Sequence, residues 1–92
     1  MNYHITAVDT TAEGHLYVVV DFGDGLIEDF VFVNLPAPAV SETVRQAIAD
    51  FAADIERLGY QGDRRDPNYM LGGTDHATKR AAMVLLGEHG TI

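Results

Sequence analysis

Apolar positions crowd into two dense runs early in the chain, Leu16-Tyr17-Val18-Val19-Val20-Asp21-Phe22 and Leu26-Ile27-Glu28-Asp29-Phe30-Val31-Phe32-Val33. Between them stands Gly23-Asp24-Gly25. β-Branched and aromatic residues on both sides of such a connection specify a β-hairpin. A weaker alternation from Tyr3 to Asp9, followed by Thr10-Thr11-Ala12-Glu13-Gly14, predicts a strand and turn before it. The expected strands are 3–9, 15–22 and 26–33.

The turns set an expected register. A three-residue Gly23-Asp24-Gly25 loop with Gly25 in a left-handed bulge pairs Phe22 with Leu26, Val20 with Glu28, Val18 with Phe30 and Leu16 with Phe32. A two-residue Asp24-Gly25 turn would instead set Asp21 against Glu28, placing like charges across the strands. A four-residue first turn, Thr11 to Gly14, pairs Tyr3 with Phe22, Ile5 with Val20 and Ala7 with Val18. One face then collects Tyr3, Ile5, Ala7, Leu16, Val18, Val20, Phe22, Leu26, Phe30 and Phe32 as core. The other carries His4, Thr6, Val8, Tyr17, Val19, Asp21, Ile27, Asp29, Val31 and Val33. Half of that second face is apolar, more than solvent contact requires, and it points to another chain.

The period changes after residue 40. Asn34-Leu35-Pro36-Ala37-Pro38-Ala39-Val40 reads as a stiff connector. Ser41 is placed to cap a helix over 42–58, and Val44, Ala47, Ile48, Phe51, Ala52, Ile55 and Leu58 recur at helical spacing. Gly59 ends that helix, and residues 59–74 form a long loop. Thr74 or Asp75 caps a second helix over 75–87, whose Met83-Val84-Leu85-Leu86 run is apolar all round and should be buried on two sides. Gly87 and Gly90 loosen the end. The expected fold is one α+β domain of two layers, a three-stranded antiparallel meander followed by two helices packed on one face.

Composition narrows the function classes. The 92 residues are 47% apolar, which supports a folded core despite a net charge of −8. Residues 1–40 hold six acids and no Lys or Arg. An acidic sheet repels phosphate, so direct nucleic-acid binding is disfavoured and a basic protein surface is preferred. Cysteine is absent, which removes disulfides, thiolate metal sites and thiol catalysis. No run approaches the ~18 apolar residues of a membrane span, and Met1-Asn2-Tyr3-His4-Ile5 lacks the basic start of a signal peptide. The expected location is the cytoplasm, or a virus particle if the chain is a virion component.

Candidate chemistry is sparse. Of His4, His15, His76 and His89, no two stand at a helical i, i+4 spacing, though the register sets His4 opposite Asp21. Asp21, Asp24, Glu28 and Asp29 crowd the hairpin without the alternating oxygen ligands of a helix-loop-helix calcium site. Asp50 and Asp54 share a polar helical face, with Arg57 in reach of Asp54. Ser41 is the sole serine, Thr74-Asp75-His76 is adjacent only in sequence, and Gly72-Gly73 lacks a following Walker lysine. Arg64, Arg65 and Tyr69, beside Asp63 and Asp66, have the chemistry of interface anchors.

These features favour a non-enzymatic structural, assembly or adaptor subunit with no cofactor. Its contact candidates are Tyr17, Val19, Val31, Val33, Arg64, Arg65 and Tyr69. Small acidic chains of this kind occur among phage virion and assembly components, an association of size and composition, not of residues. An acidic regulator that occupies a basic surface is the alternative. A small enzyme with a pocket beneath 59–74 ranks third.

Overall fold

A computed structural model describes residues 1–11, 14–58 and 76–92. The order is β1 (Asn2–Thr10), β2 (Leu16–Asp21), β3 (Ile27–Phe32), a 3-10 turn (Ala37–Ala39), α1 (Val40–Leu58), α2 (His76–Met83) and β4 (His89–Thr91). The protein is α+β with two helices and an antiparallel sheet ordered β3-β2-β1-β4. The meander of three strands is therefore short by one. The segment read as a loose C-terminus pairs Asn2 with Thr91, Tyr3 with Gly90 and His4 with His89. That pairing gives the outer edge of β1 its backbone partners.

The β2–β3 register matches expectation, from Leu16 opposite Phe32 to Val20 opposite Glu28. Phe22 N–H donates to the Leu26 carbonyl at 2.8 Å, closing the expected pair. The turn itself differs. Leu26 N–H reaches the Gly23 carbonyl at 2.9 Å, and Asp24 and Gly25 have φ of 53° and 81°, as in a type I′ turn. The extra residue is thus Gly23, at φ 88°, rather than Gly25. One glycine before a primed two-residue turn preserves the register that keeps Asp21 away from Glu28.

The β1–β2 register changes midway. Ile5 faces Val20, but Ala7 faces Val19 and Val8 faces Val18. Thr6 is the extra residue of a bulge, and beyond it the alternation of β1 inverts. Val8 enters the core while Ala7 leaves it, the reverse of the even alternation expected from the sequence. The first turn supplies the reason. Thr10 pairs with Leu16 rather than with His15, and Thr11 N–H donates to the His15 carbonyl at 2.8 Å. Pairing near the turn is thus offset by one residue from that set by a Thr11 to Gly14 turn, and the bulge absorbs the difference.

Inward residues of β1 and β2 form one cluster with Val40, Val44, Ile48, Phe51 and Ala52 of α1, Ala82 of α2 and Leu85 beyond it. Phe22, Phe30 and Phe51 pack as an aromatic trio, with ring centroids 5.0 to 6.4 Å apart. Ser41 does not cap α1, because the 3-10 turn feeds the helix from Val40 and makes Ser41 its second residue. α2 stops at Met83, short of the expected residue 87. Leu85 N–H and Leu86 N–H bond three residues back, and Gly87 at φ 87° turns the chain into β4. Of the Met83–Leu86 run only Leu85 is buried, and Val84 is 82% exposed. The expected burial on two sides does not occur there, because the helix ends before a second face forms. Gly59, the 59–74 loop and its Thr74 or Asp75 cap lie outside the described residues.

The bulge makes a prediction that separates the two registers. Val8→Ala should lower urea-unfolding stability by about 2 kcal/mol. Ala7→Ser should change it by no more than about 0.5 kcal/mol. An even alternation requires the opposite ranking.

Candidate functional site

The face of the sheet turned away from the core is built in cross-strand rows. Asp9, Tyr17 and Val31 form one, and Ala7, Val19 and Asp29 form the next. The last runs His89, His4, Asp21, Ile27 across all four strands. Every row therefore carries one carboxylate, residues 1–40 contain no Lys or Arg, and Lys79 of α2 stands 3.6 Å from Asp9. Tyr17, Val19, Val31 and Val33 are half-buried, Ile27 is 55% exposed, and none of the five joins the core. Val8, expected on this face, is lost from it through the bulge, and Ala7 takes its place.

The structure thus brings together Tyr17, Val19 and Val31 as a contiguous apolar strip, with Val33 just past the end of β3. Arg64, Arg65 and Tyr69, the remaining sequence candidates, lie outside the described residues. The rim that sequence reasoning missed is the His4–His89 pair. Their rings stand edge to face with centroids 6.2 Å apart. A groove of about 430 Å³ runs beside them, lined in part by Asn2, Asp21, Gly23 and Thr91. His4 was expected opposite Asp21, and it is. His89 carried no signal, because His-Gly-Thr has neither length nor apolar alternation.

The other chemical candidates separate. Alternation sends Glu28 to the core face, where it is 7% exposed, and leaves Asp21 and Asp29 on the opposite side. Asp24 sits exposed in the turn, and Asp21 Oδ1 accepts from Gly23 N–H at 2.8 Å. The acidic hairpin is therefore not one ligand set. Among the described residues no three His, Asp or Glu side chains converge on a metal position. Asp50 and Asp54 serve their own helix: Gln46 Nε2 donates to Asp50 at 2.9 Å, and Arg57 to Asp54 at 3.0 Å.

Behind the histidine rim lies a polar clamp. Arg45 of α1 donates to both oxygens of Glu88, at 2.6 and 3.1 Å, and Tyr3 Oη donates to Glu88 Oε2 at 2.9 Å. The Arg45 hydrogen bonds hold the Glu88 carboxyl below its ordinary value, partly opposed by burial. Burial, then the hydrogen bond to Glu88, raises the Tyr3 hydroxyl. Gly90 leaves room for the Tyr3 ring, since a Cβ there would meet its Cε1 at 3.1 Å. The clamp joins α1, β1 and the approach to β4, and so fixes the strand that carries His89.

A depressed carboxylate stabilises the fold fully above its unfolded value near 4.5, and that stability is lost as pH falls through the lower folded value. Glu88→Gln should therefore cost about 1 kcal/mol at pH 7 and flatten the acid limb of the stability–pH curve below pH ~4.5. Chemical denaturation across pH 3 to 7 measures both effects; an unchanged acid limb would show that the clamp does not contribute. No protein-family model, curated protein or solved structure matches this chain.

Proposed function

We propose that this chain is a small acidic, non-enzymatic adaptor or assembly subunit that works by protein–protein contact. Its contact surface is the second face of the sheet, with Tyr17, Val19, Val31 and Val33 as anchors. The observation that carries this reading is the apolar strip left outside the core on a regular, hydrogen-bonded sheet. Helices on a single side, in a two-layer arrangement, would leave that strip for a partner. A rigid sheet presents its side chains in fixed register, so contact there requires little ordering of the chain. Arg64, Arg65 and Tyr69 belong to the proposal as additional anchors on the strength of their residue types alone. Assembly into a virus particle is one setting for such a subunit.

A second reading has its own support. With one carboxylate in each row and no base among residues 1–40, the face suits a basic surface. An acidic regulator would use Asp21 and Asp29 more than the valines, and its binding would fall steeply with salt.

The test is affinity recovery of the tagged full chain from cells of its native source, with light scattering on the purified protein. Tyr17→Ala with Val31→Ala should reduce partner retention or self-association by about tenfold or more while leaving stability within about 1 kcal/mol. Retention of the same partners by that variant overturns the apolar-contact reading. Loss of partner at high salt, with Asp21→Asn and Asp29→Asn acting in the same direction, favours the regulator instead.

A further inference from the structure

The phase of the β1–β4 ladder decides how near its side chains come. Met1 and Ile92 exchange both backbone hydrogen bonds, at 3.1 and 2.8 Å, and Ile5 N–H donates to the Glu88 carbonyl at 2.8 Å. Hydrogen-bonded and non-hydrogen-bonded pairs alternate along an antiparallel ladder. Asn2–Thr91 and His4–His89 are therefore the non-hydrogen-bonded pairs, in which side chains stand closest. The first of them already makes a side-chain contact, Thr91 Oγ1 to Asn2 Oδ1 at 2.8 Å. The second brings two exposed imidazoles to the rim of an open groove.

We propose that His4 and His89 form a cross-strand two-histidine site for a borderline divalent transition ion of the Zn²⁺, Ni²⁺ or Cu²⁺ class. Imidazole nitrogen suits these ions, and a metal–nitrogen bond is about 2.1 Å. That bond length puts each ring centroid about 3.2 Å from the ion, so two rings on one tetrahedral ion lie about 5.2 Å apart. The observed separation is 6.2 Å. Closing by about 1 Å needs only rotation about side-chain torsions of two exposed rings, with no movement of the ladder. Asp21, the cross-strand neighbour of His4, adds negative charge on the far side of that ring. No third ligand converges among the described residues, so water completes the coordination and the site stays open. An ion held there also ties the three-residue β4 to β1, and metal binding therefore adds to the stability of the C-terminal strand.

The experiment titrates Zn²⁺ into the full chain at pH 7.5 by calorimetry, and records imidazole ¹H–¹⁵N spectra over the same series. Expected are one ion per chain, perturbation of the His4 and His89 resonances before those of His15, and a raised thermal midpoint. His4→Ala and His89→Ala should each weaken binding by about tenfold or more. Cu²⁺ bound to the unaltered protein should show two nitrogen couplings in its electron paramagnetic resonance spectrum, a readout independent of how the variants fold. Unchanged affinity in both variants, perturbation centred on other residues, a single nitrogen coupling, or no binding at millimolar Zn²⁺ overturns the proposal.

Discussion

Strand β1 is hydrogen-bonded along both edges, to β2 on one side and β4 on the other. An interior strand cannot leave its N–H and C=O groups unpaired, so the segments flanking it are constrained by it. Ile5 stands at the centre of this constraint. It is fully buried, faces Val20, and trades backbone bonds with Gly87 and Glu88 at 2.9 and 2.8 Å. Those bonds require α2 to stop early and Gly87 to turn the chain back. Once Glu88 is anchored beside Ile5, its carboxylate falls within reach of Tyr3 and Arg45, and the clamp to α1 follows. The ends of the chain meet as a consequence, Met1 against Ile92.

The bulge at Thr6 lets one strand satisfy two incompatible demands. Before it, β1 must place Ile5 inward and His4 outward against β4 and Asp21. After it, pairing with β2 is shifted by one residue, and only an inserted residue lets Val8 rather than Ala7 reach the core. Burying the larger side chain favours this solution, since each methylene removed from water contributes roughly 0.8 kcal/mol.

What could be read from the sequence was local. The hairpin register followed from a turn spanning five residues, and α1 from the repeat of Val44, Ile48, Phe51 and Ala52 on one helical face. The apolar strip of Tyr17, Val19 and Val31 was legible for the same reason, because it lies on the two strands that this turn joins. The bulge and β4 were not legible. Neither has a periodic signature: β4 is three residues with a central glycine, held by hydrogen bonds to residues more than 80 positions away. The histidine rim depends on β4 and was hidden with it. The end of α2 is not legible either, because Met83-Val84-Leu85-Leu86 has no polar break and the turn there answers to Ile5 rather than to helix propensity.

The distribution of charge adds a further step about the proposed contact face. Two copies stacked through it would bring Asp9, Asp21 and Asp29 of one against the acidic face of the other, and like charges brought together at an interface cost several kcal/mol. Lys79 stands 3.6 Å from Asp9, and both side chains remain well solvated, so that pair offsets little of the repulsion. The apolar strip and its acidic frame therefore suit a partner whose own apolar anchors are ringed by Lys or Arg better than they suit a second copy. In the proposed two-histidine site, the same negative charge would draw small cations to the rim, where imidazole nitrogens would favour a transition ion over Mg²⁺ or Ca²⁺. A cation seated there would offset charge in the row that holds Asp21. Occupancy of the rim would then weaken attraction to a basic partner, linking the two surfaces through their shared field even though different side chains form them.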